Sequence, residues 1–265
     1  MSQAEASDMP PRARQRGELG RSPLVDRLAD EALERVAGRQ RAGRDDPEGT
    51  ALDRLYAAAI GPDPRACAAV ARALMADGLP AERICDHHIP ATARRMGDDW
   101  VSDDLAFSAV TIGTARLQGL LRDLDAEIER DGGPRPGDGG AVLLVIAPGA
   151  DHTLGALLLA SQLRRRGFSV RLSLGEARER MAAAVAGTRF DAVFLSATVP
   201  GSLPFLAEAA LAIRGAAPRA LPIVLGGAVL ALSEGAGESA AAARIDHVTC
   251  DIDEAIRLCG LTAAP

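Results

Sequence analysis

Two textures of apolar residues divide the chain. Between residues 50 and 130 hydrophobic side chains return every three or four positions, which places them on one face of a helix. Leu52, Leu55 and Ala59 mark a first helix; Ala66, Val70, Leu74 and Met75 mark a second, closed by Gly78. Pro80 opens a third, which Pro90 interrupts, because a proline ring removes a backbone donor and crowds the preceding turn. Leu105, Val110, Ile112, Leu117, Leu120, Leu121 and Leu124 place a fourth over residues 103–128. Four helices with short connections predict an antiparallel bundle over 49–130.

From residue 141 the period changes. Short unbroken apolar runs alternate with amphipathic stretches, and the runs predict strands at 141–146, 169–174, 192–196, 222–225 and 247–249. Helices are expected at 152–166, 177–186, 205–214 and 252–259. This alternation predicts a doubly wound parallel sheet of five strands, flavodoxin-like or Rossmann-like, over 141–265. The fold class is therefore α/β plus all-α, a four-helix bundle followed by that sheet. The stretch DGGPRPGDGG at 131–140 reads as a linker between them. Residues 1–48 read as an arm, mostly disordered, whose first twenty positions show no apolar period. Within the arm Ser22-Pro23 starts a short helix faced by Leu24, Val25, Leu28, Leu33 and Val36, and 43–48 is a connector. That helix either docks on the body or serves as a partner-binding arm.

Composition narrows the chemistry. A formal charge of −6 and 3% aromatic residues argue against direct DNA binding or base-stacking platforms. All basic side chains are arginine. No apolar run is long enough to span a bilayer and no signal pattern opens the chain, so a cytoplasmic location without membrane contact is expected. The four cysteines lack CxxC spacing. Neither GxGxxG nor GxxxxGK[ST] nor GxSxG occurs, which disfavours dinucleotides, nucleoside triphosphates and serine hydrolysis.

In such a sheet the ligand site lies at the carboxyl ends of the strands. Those ends hold 148–155, 196–198, Gly226-Gly227 and 249–251. His152 sits just past the first strand, where a neutral imidazole can ligate a metal, flanked by Asp151, Thr153 and Leu154. Gly155 removes a side chain where a ligand or the helix start comes close. Ser196 and Thr198 offer hydroxyls, Gly226 and Gly227 permit close backbone approach, and Thr249 ends the fifth strand. Each also has an ordinary reading: His152 as a polar loop residue, the hydroxyls and glycines as turn formers.

Together, His-x-x-Gly at 152–155, Ser-x-Thr at 196–198 and Gly-Gly at 226–227 resemble the cobalamin-binding Rossmann-like domain. The resemblance implies His152 as lower axial ligand to cobalt, with the displaced nucleotide tail of cobalamin passing the Ser/Thr and Gly-Gly positions. In the bundle, IPATARRMGDDW at 89–100, then Asp103-Asp104-Leu105-Ala106-Phe107, Val110-Thr111-Ile112-Gly113 and Arg116-Leu117-Gln118, resemble the PpaA/AerR antirepressors, bacterial regulators of photosystem and tetrapyrrole genes. This likeness covers roughly 80–260. It implies Trp100 as a lid over the corrin's upper face, near Val110 and Thr111; packing in the bundle core is the ordinary alternative for Trp100.

Two positions depart from the wider family. Its loop reads Asp/Glu-x-His-x-x-Gly, yet Ala150 stands at the acidic place, and losing such a partner weakens metal affinity about 10- to 100-fold. Photoreceptors of the class carry Glu-His where this chain has Val110 and Thr111. His87 and His88 are read as surface or packing residues. The expected function is a cobalamin-binding, light- or redox-responsive antirepressor, not an enzyme, acting through a DNA-binding transcription repressor. The hydroxo-, methyl- and adenosyl- forms are all open. The alternatives are a cofactor-free interaction module, which Ala150 favours, a haem sensor using His152, and a corrinoid methyl carrier.

Overall fold

The computed structural model describes residues 47–132, 137–148, 153–232, 240 and 243–263. The helix expected in the arm and the loop bearing Ala150, Asp151 and His152 lie outside the described residues. Helix α1 (Pro47–Ile60) begins within the expected connector, since a proline in the first turn needs no backbone donor. Helix α2 (Ala66–Ala76) follows and ends at Gly78, whose φ of 95° reverses the chain.

The third expected helix is a composite. Helix α3 (Ala81–Arg83) runs into a π-helical turn, Ile84–His88, and then into α4 (Ile89–Val101). The interruption expected at Pro90 thus falls just before it. Pro90 occupies the first turn of α4, where its missing N–H costs nothing, and the wider turn absorbs the register change. His88 is buried with Nδ1 3.2 Å from the Arg83 carbonyl oxygen, whereas His87 is exposed.

Helix α5 (Phe107–Arg130) starts four residues later than expected. Asp103 has a φ of 62°, and the N–H groups of Asp104 and Leu105 both donate to the Asp99 carbonyl, at 2.8 and 3.0 Å, so 103–106 make a turn. The bundle core gathers Leu55, Ile84, Ile89, Met96, Leu117 and Leu121. Gly113 admits Met96 there; a Cβ would lie 2.6 Å from its Sδ.

Five parallel strands stand in the order β2-β1-β3-β4-β5. They are β1 (Ala141–Ile146), β2 (Ser169–Leu174), β3 (Ala192–Ser196), β4 (Ile223–Gly226) and β5 (His247–Val248). Side chains alternate faces along each strand. Leu143 and Val145 turn toward α7 (Arg178–Gly187) and α8 (Leu203–Ala216). Val142, Leu144 and Ile146 turn toward α6 (Leu154–Arg165) and α10 (Ile252–Leu258). A short helix, α9 (Val229–Leu232), follows β4 and had no counterpart in the sequence pattern. The glycine-rich connector is partly docked: Gly137 and Gly139 donate to the Gly167 carbonyl at 2.8 and 3.0 Å. Asp191 accepts the Ala141 N–H at 2.9 Å and pairs with Arg219, contacts that hold its carboxyl below the usual range.

The described residues from 51 onward form one compact unit, and α6 is its shared element. Ala156, Ala160 and Leu163 face the sheet, while Leu154 and Leu158 join the bundle core. Polar contacts reinforce that seam. Arg165 pairs with Asp86 on the π turn and, at 3.0 Å, with Asp125 of α5. Ser161 donates to Asp125 at 2.5 Å and Gln162 to Asp86 at 3.1 Å. Among the described residues, no helix is long and apolar enough to cross a membrane.

Candidate functional site

The register brings three strand ends level, with Ile146 beside Ser196 and Ser196 beside Gly226. Beyond them opens a cavity of ≈ 560 Å³. Its lining is apolar at Phe194 and Val224 of the sheet, Leu158 and Leu159 of α6, and Ile252 and Ala255 of α10. Ser196, Thr198, Gly226, Gly227 and Thr249 all line it, together with Gly155 at the start of α6. The structure thus collects these sequence-expected positions around one space.

Their local chemistry differs. Ser196 and Thr198 spend neither hydroxyl on a described protein partner, so both remain open to a ligand. Thr249 is committed: its hydroxyl donates to Glu254 and accepts the Asp251 N–H at 3.1 Å. Gly227 has a φ of 107°, and a Cβ there would meet the Ala197 carbonyl oxygen at 2.2 Å. At Gly226 a Cβ would lie 2.6 Å from the Thr249 carbonyl oxygen. The Gly-Gly pair therefore lets neighbouring strand ends close together. Gly155 behaves oppositely, with nothing within 4 Å of an added Cβ, so it leaves space at the cavity wall.

Other expected residues lie elsewhere. Thr153 accepts a hydrogen bond from Gln118 of α5 at 3.0 Å, tying the helix start to the bundle. Leu154 is buried in the bundle core. Trp100, 44% exposed, meets Phe107 with ring centroids 6.0 Å apart, at the corner between α4 and α5. Neither Trp100 nor Val110 nor Thr111 lines the cavity, and the Thr111 hydroxyl donates to the Phe107 carbonyl at 3.0 Å. Asp151 and His152 lie outside the described residues, as noted, and no metal-holding group of three His, Cys, Asp or Glu occurs among the described ones.

Several lining residues had no sequence signal of their own. Arg94 reaches the cavity from α4 of the bundle, and Gln162 from α6. Arg94 fell within the bundle motif, but only folding shows which way its helix face turns. Asp251, within the strand end 249–251 expected from the sequence, also lines the site, its carboxylate accepting the Glu254 N–H at 2.7 Å as the cap of α10. Cys250 is exposed at the same wall, its thiol 3.3 Å from the Gly227 carbonyl oxygen.

Comparison with known proteins adds to this geometry. Residues 140–252 match the B12 binding domain family model. An uncharacterized 20.5 kDa protein in the bchF-crtJ intergenic region of Rhodobacter capsulatus is 34% identical over 174 residues, covering 66% of this chain and 88% of that protein. Among solved structures, the monomethylamine corrinoid protein of Methanosarcina barkeri superposes with a TM-score of 0.63 at 17% identity. That match covers 79% of this chain and 96% of the other, a likeness of fold.

Proposed function

Because the chain belongs to the family of the Rhodobacter capsulatus 20.5 kDa protein and carries a B12-binding domain, we propose that it is a cobalamin-binding sensor acting as a transcriptional antirepressor through a DNA-binding repressor. The observation that carries the cofactor half is the cavity at the strand ends, where the Ser196 and Thr198 hydroxyls have no hydrogen-bond partner among the described residues and the Gly155 wall is open. These residues fit the group: an apolar slot for an aromatic base, hydroxyls for its polar linkage, and room where a side chain would intrude. Ser196, Thr198, Gly155 and the backbone at Gly226 would hold the tail, and His152 would hold the metal through an imidazole nitrogen. A bound cobalamin would supply metal chemistry that answers to light or redox state.

The regulatory half rests on the bundle motif at 89–118, on the relative's position beside bchF and crtJ, and on an acidic chain with no basic stripe of its own. Trp100 and Phe107 stand exposed at the α4–α5 corner, away from the strand-end cavity, and offer an apolar surface for a repressor. A repressor contact there would be gained or lost with occupancy.

The deciding experiment is a visible-spectrum titration with hydroxo-, methyl- and adenosylcobalamin, beside His152→Ala. A saturable shift lost in the variant is the expected result. No shift with any form removes the cobalamin reading, and a haem titration then tests His152 with iron. Retention of the host's repressor–operator complex on a gel, with the protein added, tests the antirepressor role; undiminished retention would end it. Ala150 favours one alternative, a cofactor-free interaction module, which predicts repressor release without any corrinoid.

A further inference from the structure

Two adjacent arginines of α4 have different fates. Arg95 is spent within the bundle, paired with Asp53 at 2.5 Å and lying over the Tyr56 ring at 4.1 Å. Arg94 has no ion pair or side-chain hydrogen bond among the described residues, and it is the one basic side chain that lines the strand-end cavity. The carboxylate on that wall, Asp251, is occupied by the N–H of Glu254. The chain as a whole carries a formal charge of −6, so an anion approaching it is repelled except where a cation is placed for it. A guanidinium offers the planar fork that suits phosphate oxygens.

We infer that Arg94 recognises the anionic group of the ligand, so that a corrinoid whose nucleotide tail carries a phosphodiester is preferred over one lacking it. This rests on the cobalamin reading above. Arg94 belongs to the bundle, whereas the rest of the described lining comes from the sheet and its helices α6 and α10. A bound phosphodiester therefore draws the bundle toward the sheet edge through charge, independently of any bond to cobalt.

The test compares hydroxocobalamin with diaquocobinamide, which keeps the ring and lacks the nucleotide and its phosphate. Spectral titrations use the full chain, Arg94→Gln and Arg94→Lys. The wild type is expected to prefer cobalamin. Arg94→Gln should weaken cobalamin about tenfold and leave cobinamide within about twofold, with Arg94→Lys retaining most of the affinity. Cobalamin affinity should fall more steeply with salt in the wild type than in Arg94→Gln. Ligand-free melting temperatures should coincide, because Arg94 is exposed and makes no described contact to lose. Unchanged cobalamin affinity in Arg94→Gln, or equal losses for both corrinoids, would overturn the inference. A wild type that binds neither corrinoid would instead strike the cobalamin reading itself, and this inference with it.

Discussion

At Gly227 the backbone φ of 107° and the Ala197 carbonyl 2.2 Å from an added Cβ leave no room for any side chain. Gly227→Ala should cost about 2 kcal/mol or more, read as a lowered urea midpoint. Gly155 lines the same cavity with open space before it, and it lies in the first turn of α6. Gly155→Ala should melt no lower than the wild type, since alanine favours a helix by up to about 1 kcal/mol, while weakening corrinoid binding. Unweakened corrinoid binding in that variant would show that the open space at Gly155 is not used by the ligand. Burial acts on Cys85 in another way, pushing its thiol from 9.0 up to about 12. Between those values the unfolded chain has lost a proton that the folded chain keeps. The stability that this thiol contributes is therefore full below pH 9.0 and is lost as pH rises toward 12. Cys85→Ala should flatten the alkaline slope of unfolding free energy; an equally steep slope would assign it to Tyr56, Cys67 and Cys259, whose pKa values burial also raises.

Among the elements, α6 bears two demands at once, and Arg165 shows how they are met. Its side chain, 13% exposed, stands between Asp86 and Asp125, which would otherwise confront each other across the seam. Arg165→Gln should lose about 2 kcal/mol in urea unfolding, partly recovered by adding Asp125→Asn. Full stability in the single variant would show that the ionic contacts are dispensable beside the leucines. Legibility in the sequence followed burial. Strands such as β1 and β3 are covered on both faces, so they read as unbroken apolar runs with distinct ends. The π turn before Pro90 and the delayed start of α5 were not legible. Both depend on how the backbone redistributes its hydrogen bonds around one residue, Pro90 or Asp103. The hydroxyls and glycines at the strand ends were visible because topology assigns them to one edge. Arg94 was not, because an exposed arginine on a helix has meaning only once that helix is docked.

For the whole molecule, the glycine-rich stretch at 131–140 marks a change of texture without marking independence. Leu154, Leu157 and Leu158 lie after that stretch in sequence but belong with the bundle's apolar side chains. Separating the halves would uncover that shared packing on both sides. A fragment beginning after the stretch would present those leucines to water and self-associate, whereas adding the fragment 49–130 in trans should restore a single species on size exclusion. A monodisperse C-terminal fragment would contradict this. What resembles a hinge is thus a tether between complementing fragments, and grafting this bundle onto another sheet would require carrying the outer face of α6 along with it.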